Sequence, residues 1–288
     1  MNVDADAHFL TSIKRLGISN LEEVSESDLV DLALRFAIWP SVSTYCDTPW
    51  FAPFAIRRIR VRVEANAPGV KRDLWGLPNE SGYFTDDNSL IKGLILNRPL
   101  SPETNPYGGS RITRGAVCCH IWSGTTTSPL LFSFVPNLVW LPKSLANYSD
   151  AHAAAKPHPI HNALKQISIA RYGSIIRNRR VESAWQLLDP PMPLILNHII
   201  QTEIADDGKI SDLVKKRVNR MIDFLEATLD PNSEMPQRFS KRYHAGTGNG
   251  IDKSVWTVQS WLTEEARQKL LEEMRICLEN IDDKSDLT

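Results

Sequence analysis

The residues with the clearest potential for chemistry lie in one segment of the chain, GAVCCHIWSGTTTSPLLFSFVPNLVWLPKSLANYSD, which covers positions 115 to 150. His120 follows two cysteines, and Asn137 comes seventeen positions later, at the start of a second apolar run. Asn147 and Asp150 follow the next proline. An imidazole can accept a proton from water, and amide and carboxylate oxygens bind hard divalent cations. These residue types predict an acid–base site in which a metal ion takes part.

Two strands and a helix are expected to position these side chains. Val117 to Trp122 can form a short strand, and Leu130 to Val135 is an apolar run of strand length. Pro142 suits the first turn of a helix, because proline lacks an N–H that would be unpaired there anyway. The pattern predicts strand, loop, strand and helix, with His120 and Asn137 directed at a common point.

A segment of this order with this histidine and asparagine resembles the ββα-metal, or HNH-type, nuclease finger. The resemblance implies that His120 is the general base and that Asn137 is a metal ligand or a residue that orients the site. It also implies that Asn147 or Asp150 on the following helix completes the site. A divalent cation, Mg²⁺ or Mn²⁺, would neutralise charge on the scissile phosphate.

Cys119 departs from the family pattern, in which an aspartate or histidine usually precedes the base. A thiolate prefers Zn²⁺ and other soft metals to Mg²⁺. Cys119 is therefore either a ligand of an unusual metal or no ligand at all, in which case an aspartate from elsewhere, such as Asp86 or Asp87, takes its place. A hydrolase with Cys119 or Cys118 as nucleophile and a histidine base is disfavoured, because adjacent residues of a strand point to opposite faces and Cys119 cannot pair with His120 directly.

The distribution of charge matters more here than the net charge of −1. Basic residues cluster in RRIRVR, ARYGSIIRNRR, KKRVNR and RFSKRYH, whereas acidic residues concentrate near both ends. This segregation predicts a central basic cleft that binds double-stranded DNA, although each cluster alone is also typical of a solvated helix face. The candidate nucleic-acid contacts are Arg58, Arg60, Arg111, Arg114, Arg177, Arg179 and Arg180.

Cysteine usage and hydropathy bear on the compartment. The four cysteines show neither paired metal spacing nor the density of a disulfide framework, and no run of about twenty apolar residues occurs. We expect a cytoplasmic protein without a membrane span. The resemblance implies a restriction or phage-defence endonuclease, and a non-catalytic nucleic-acid-binding or regulatory protein with a degenerate finger is the alternative. A homodimer is left open.

The pattern along the rest of the chain predicts an α+β protein, with a mainly helical scaffold and an embedded ββα-metal finger. Residues 1–66 are expected to form helices and a basic strand, 67–156 a loop-rich region with the nuclease core, and 157–288 a helical region. Ser25 or Ser27 is expected to cap the second helix.

Overall fold

The computed structural model describes residues 1–57, 84–86, 91, 93–101, 106–148, 159–192, 202–205, 208–230 and 263–282. Arg58, Arg60, Asp87 and Asp150, which the sequence analysis singled out, lie outside these residues. Helices and small sheets with mixed strand directions alternate within them, so the predicted α+β class is confirmed.

The elements are numbered in chain order. The described strands are β1 (Asn2–Asp4), β2 (Ile38–Trp39), β3 (Ala55–Arg57), β4 (Phe84–Asp86), β5 (Arg111–Arg114), β6 (Ala116–His120), β7 (Leu138–Pro142) and β8 (Thr202–Glu203). The described helices are α1 (Ala5–Arg15), α2 (Glu26–Phe36), α3 (Val42–Asp47), α4 (Lys143–Ala146), α5 (Pro159–Tyr172), α6 (Arg179–Gln186), α7 (Lys209–Leu229) and α8 (Glu264–Asp282). No helix in the described part of the chain is both long enough and apolar enough to cross a membrane.

A four-stranded sheet in the order β6–β7–β2–β8 lies at the centre of the core. β7 is antiparallel to both β6 and β2, whereas β2 and β8 are parallel. All five residues of β7 are buried, which agrees with its position inside the sheet. The sheet takes strands from each of the three predicted segments and therefore joins them in one hydrophobic core.

The helices follow from capping and apolar spacing, as predicted. The Ser25 side chain caps α2 by accepting a hydrogen bond from the backbone N–H of Asp28. The Thr263 hydroxyl accepts a hydrogen bond from the backbone N–H of Ala266 in the first turn of α8. α7 packs along α8, and both helices bury an apolar stripe.

The predicted second strand of the finger was wrong. The residues from Leu130 to Val135 form turns that lead into a 3₁₀ turn at Val135–Asn137, and the strand that follows is β7. The run is apolar because side chains such as Phe132 and Phe134 are buried in a loop. A short apolar run cannot distinguish a buried loop from a buried strand.

Candidate active site in the hairpin

β6 and β7 form an antiparallel hairpin, and the short helix α4 follows directly. The register pairs Ala116 with Pro142 at the base of the hairpin and His120 with Leu138 at its other end. His120 is the last residue of β6, where the chain enters the loop that connects the strands. We call residues 121–137 the site loop. The order of strand, loop, strand and helix agrees with the predicted order. The second strand is Leu138–Pro142 instead of the predicted run from Leu130 to Val135.

The ring of His120 is held by the far side of the site loop. Its Nε2 atom lies 2.8 Å from the carbonyl oxygen of Phe132, and the two rings are stacked with their centroids 5.5 Å apart. Because a carbonyl oxygen can only accept a hydrogen bond, Nε2 is the donor in this contact. The imidazole is half-buried, and this contact fixes the orientation of the ring at the end of β6.

Asn137 organises the site loop through its side-chain amide. Its Oδ1 atom accepts a hydrogen bond from the backbone N–H of Trp122 at 3.0 Å. Its Nδ2 atom donates to Thr125 Oγ1 at 2.9 Å and to the Leu131 carbonyl at 2.8 Å. Asn137 is fully buried, and these contacts tie the beginning of the loop to its end. Of the two roles expected for Asn137, this geometry favours the orienting role over that of a metal ligand.

Residues 49–51 hold the site loop from outside. The hydrogen bonds run from Phe51 N to Ser133 O at 3.0 Å, from Val135 N to Pro49 O at 2.9 Å, and from Trp50 Nε1 to Leu130 O at 2.8 Å. They bracket Phe132, whose carbonyl contacts His120. The position of the proposed base therefore depends on a segment distant in sequence.

The amino-terminal end of α1 fixes the base of the hairpin. Asp6 Oδ1 accepts a hydrogen bond from the backbone N–H of Ser144 at 2.7 Å, in the first turn of α4. Gly115, directly before β6, has a φ of +80°, and a Cβ atom there would lie 2.1 Å from Asp4 Oδ1. Only glycine allows this close approach of α1 to the hairpin.

The described residues do not assemble the donor set that a hard cation needs. No group of three or more His, Cys, Asp or Glu side chains able to hold a metal occurs in the ranges given above. Asn147 is exposed at the end of α4. Cys119 is half-buried, with Sγ 3.6 Å from the Val117 carbonyl. A thiol, an amide and an imidazole do not by themselves fit Mg²⁺, which prefers carboxylate, carbonyl and water oxygens.

Sequence reasoning missed His161, which lies on the buried face of α5. The side chain is 4% exposed, and Nδ1 lies 3.1 Å from the carbonyl oxygen of Ile121, the residue after His120. On the same face of α5, Ser168 Oγ donates to the Pro136 carbonyl at 2.5 Å. α5 thus contacts both ends of the site loop. The spacing of His161, Leu164 and Ser168 places them on one helical face and could have indicated this role.

The predicted arginine contacts fall into different surroundings. Arg111 and Arg114 are exposed on β5, where Arg111 Nη1 donates to the Asn97 carbonyl and Arg114 Nε lies 2.8 Å from Asp4 Oδ2. Arg177 is half-buried and Arg179 is exposed.

Arg180 differs from its neighbours because it packs against aromatic rings. Its guanidinium carbon lies 3.8 Å from the centroid of the Phe54 ring and 5.1 Å from that of Trp50. Burial lowers the pKa of the Arg180 guanidinium, and burial also raises the pKa of the nearby Cys277 thiol to about 11. This geometry favours a role for Arg180 in packing against Trp50 and Phe54. Arg179 is exposed and is available for contacts at the surface.

Comparison of the chain with protein-family models, curated proteins and solved structures finds no match. The function must therefore be inferred from the geometry of the hairpin and its surroundings.

Proposed function

We propose that this chain is a metal-dependent DNA endonuclease of the restriction or phage-defence kind, in which His120 is the general base. The observation that carries the proposal is the position of His120 at the end of β6, where the chain enters the site loop and Nε2 lies 2.8 Å from the Phe132 carbonyl oxygen. The loop that provides this carbonyl is organised by the buried amide of Asn137.

The reaction that this arrangement suits is hydrolysis of a phosphodiester. In the proposed reaction, the imidazole of His120 accepts a proton from a water molecule as the water oxygen attacks phosphorus. The bond from phosphorus to one sugar oxygen breaks, and that oxygen gains a proton from solvent. The products are a phosphomonoester end and a hydroxyl end. Asn137 contributes by holding the site loop, so it is a positioning residue in this proposal.

The divalent cation is proposed independently of the roles of His120 and Asn137. When bound, Mg²⁺ or Mn²⁺ would neutralise charge on the phosphate and the leaving oxygen. Asp150 would offer a carboxylate and Asn147 an amide oxygen, whereas Cys119 as a ligand would favour Zn²⁺. The described donors alone do not fit a hard cation.

Double-stranded DNA is the proposed partner. Arg111, Arg114 and Arg179 are exposed and support contacts with phosphates, whereas Arg180 supports the fold. All four cysteines are free thiols, which supports the proposed cytoplasmic setting.

The first experiment compares two histidines in similar surroundings. His120→Ala should lower the rate of plasmid cleavage in the presence of Mg²⁺ or Mn²⁺ by about 10²- to 10⁴-fold, because the base is lost, while DNA affinity and melting temperature change little. His8→Ala is the matched control, since His8 is also half-buried with Nε2 3.1 Å from a backbone carbonyl, that of Pro106. Equal activity of His120→Ala and the wild type would remove the proposed base.

A non-catalytic nucleic-acid-binding or regulatory protein is the second candidate. Cys119 in place of an acidic ligand and the incomplete donor set of the described residues favour it. Such a protein would bind DNA without cleaving it, and neither its stability nor its binding would depend on divalent ions. If Zn²⁺ binds tightly and Cys119→Ser releases it, the assignment of Mg²⁺ or Mn²⁺ is wrong.

A further inference from the structure

The hairpin lies in a part of the sequence that contains no acidic residue. From Thr104 to Ser149 there is neither aspartate nor glutamate, although the whole chain has 34 of them. The same stretch contains Arg111, Arg114 and Lys143. We call it the acid-free segment. Exposed carboxylates repel a polyanion, so their absence from the hairpin and its loop suits contact with phosphates.

The site loop presents small polar groups to solvent. Ser123, Gly124 and Thr127 are exposed, whereas Thr125 and Thr126 between them are buried. Hydroxyl and backbone N–H groups are common donors to phosphate oxygens and carry no sequence information. The exposed tip of the loop is therefore suited to a nucleic-acid backbone.

A strand that ends in a basic residue packs against this tip. β3 packs against Thr125–Thr127, with Cα atoms within 8 Å. Arg57, the last residue of β3, is exposed, and its side chain makes no ion pair with any described residue. A guanidinium next to exposed hydroxyls can bind a phosphate at two points.

We propose that Arg57 and the exposed tip of the site loop, the loop that follows His120, form a docking surface for the phosphodiester backbone of double-stranded DNA. The choice of double-stranded DNA as the partner rests on the proposed function. Arg57 is an additional contact, because the sequence analysis placed the contacts of this basic strand at Arg58 and Arg60. Asp86 on β4 is the register partner of Arg57.

The test measures binding without cleavage. Fluorescence anisotropy of a labelled duplex of random sequence, in buffer with a chelator, gives the dissociation constant over a series of salt concentrations. Arg57→Gln should reduce the magnitude of the log–log salt slope by about one unit, the loss expected for one phosphate contact. Thr127→Glu should weaken binding at every salt concentration, because it places a charge in the neutral tip.

Two variants outside the acid-free segment control for net charge. Arg15→Gln and Ser19→Glu change exposed residues by the same charge as Arg57→Gln and Thr127→Glu. The proposal expects their salt slopes and affinities to remain close to those of the wild type. If the magnitude of the log–log salt slope falls equally in Arg57→Gln and Arg15→Gln, the change comes from net charge alone. That result would overturn the docking surface.

The outcomes separate this surface from the cleavage reaction. If the wild type binds duplex with the expected dependence on Arg57 but never cleaves it, the docking surface stands and the endonuclease is rejected. If the wild type cleaves DNA while Arg57→Gln and Thr127→Glu bind normally, the endonuclease stands and the surface is rejected. Binding of single-stranded RNA more than about tenfold tighter than duplex DNA would overturn the choice of partner.

Discussion

The site loop and the α7–α8 pair are stabilised by different kinds of interaction. In the site loop, a buried amide makes three hydrogen bonds to residues on both sides of the loop. In the helix pair, buried side chains such as Val214, Val218 and Leu225 on α7 and Met274 on α8 form the contact. A packed apolar stripe tolerates small shifts, whereas hydrogen bonds fix atoms to within fractions of an ångström. The region that requires precise geometry is the one built from hydrogen bonds.

Asn137→Ala should have the largest effect on stability. It removes a fully buried side chain and leaves the Trp122 N–H, the Leu131 carbonyl and the Thr125 hydroxyl without that partner. Each buried polar group left unsatisfied costs about 1–3 kcal/mol, so the free energy of unfolding should fall by about 3 kcal/mol or more. Urea denaturation measures this change. Asn147→Ala, at an exposed position, is the control and should change it by less than about 0.5 kcal/mol.

The contrast between apolar packing of helices and hydrogen bonding of the site loop also explains which parts of the structure could be predicted from the sequence. α1, α2, α5, α7 and α8 were predictable, because their apolar residues recur at helical spacing and because Ser25 and Thr263 have the chemistry of caps. His120 and Asn137 were identified by residue type and spacing, and the structure brings both to the site loop.

Other parts of the site lacked a local signal in the sequence. The run from Leu130 to Val135 is apolar because it is buried on several sides, and the sequence does not record which neighbours bury it. The contacts of His161 with Ile121 and of residues 49–51 with the loop join segments far apart in the chain. Periodicity can place His161 on the buried face of α5, but which segment packs against that face depends on tertiary packing, which the local sequence does not record.

Gly115→Ala should be the next most costly change, because it tests the close approach of α1 to the hairpin. The new Cβ would lie 2.1 Å from Asp4 Oδ1 and 2.7 Å from Asp6 N, at a φ of +80°. Strain and displacement together should cost about 2 kcal/mol. Gly17→Ala provides a matched control, since Gly17 has a φ of +81° and nothing lies within 4 Å of its added Cβ. Equal losses for the two variants in thermal unfolding would show that only backbone conformation matters at Gly115.

Arg180→Gln separates packing from DNA contact within one basic cluster. The variant should lower the free energy of unfolding by about 1–2 kcal/mol, because a buried guanidinium loses its contacts with Phe54 and Trp50. Arg179→Gln, at the adjacent exposed position, should leave stability unchanged and reduce the salt slope of DNA binding by about one unit if Arg179 contacts a phosphate. Stability losses of similar size in both variants would contradict the packing role of Arg180.

Glu226→Gln should have the smallest effect, because it removes a polar contact of the helix pair that lies at the surface. Glu226 Oε1 is 2.6 Å from Arg275 Nη2, but the two side chains are 46% and 56% exposed. Water screens such a pair, so its loss should cost less than about 0.5 kcal/mol. A double-mutant cycle with Arg275→Gln in urea isolates the pairwise energy. A coupling energy of about 2 kcal/mol or more would show that the helix pair, like the site loop, depends on specific polar contacts, and the distinction between the two regions would fail.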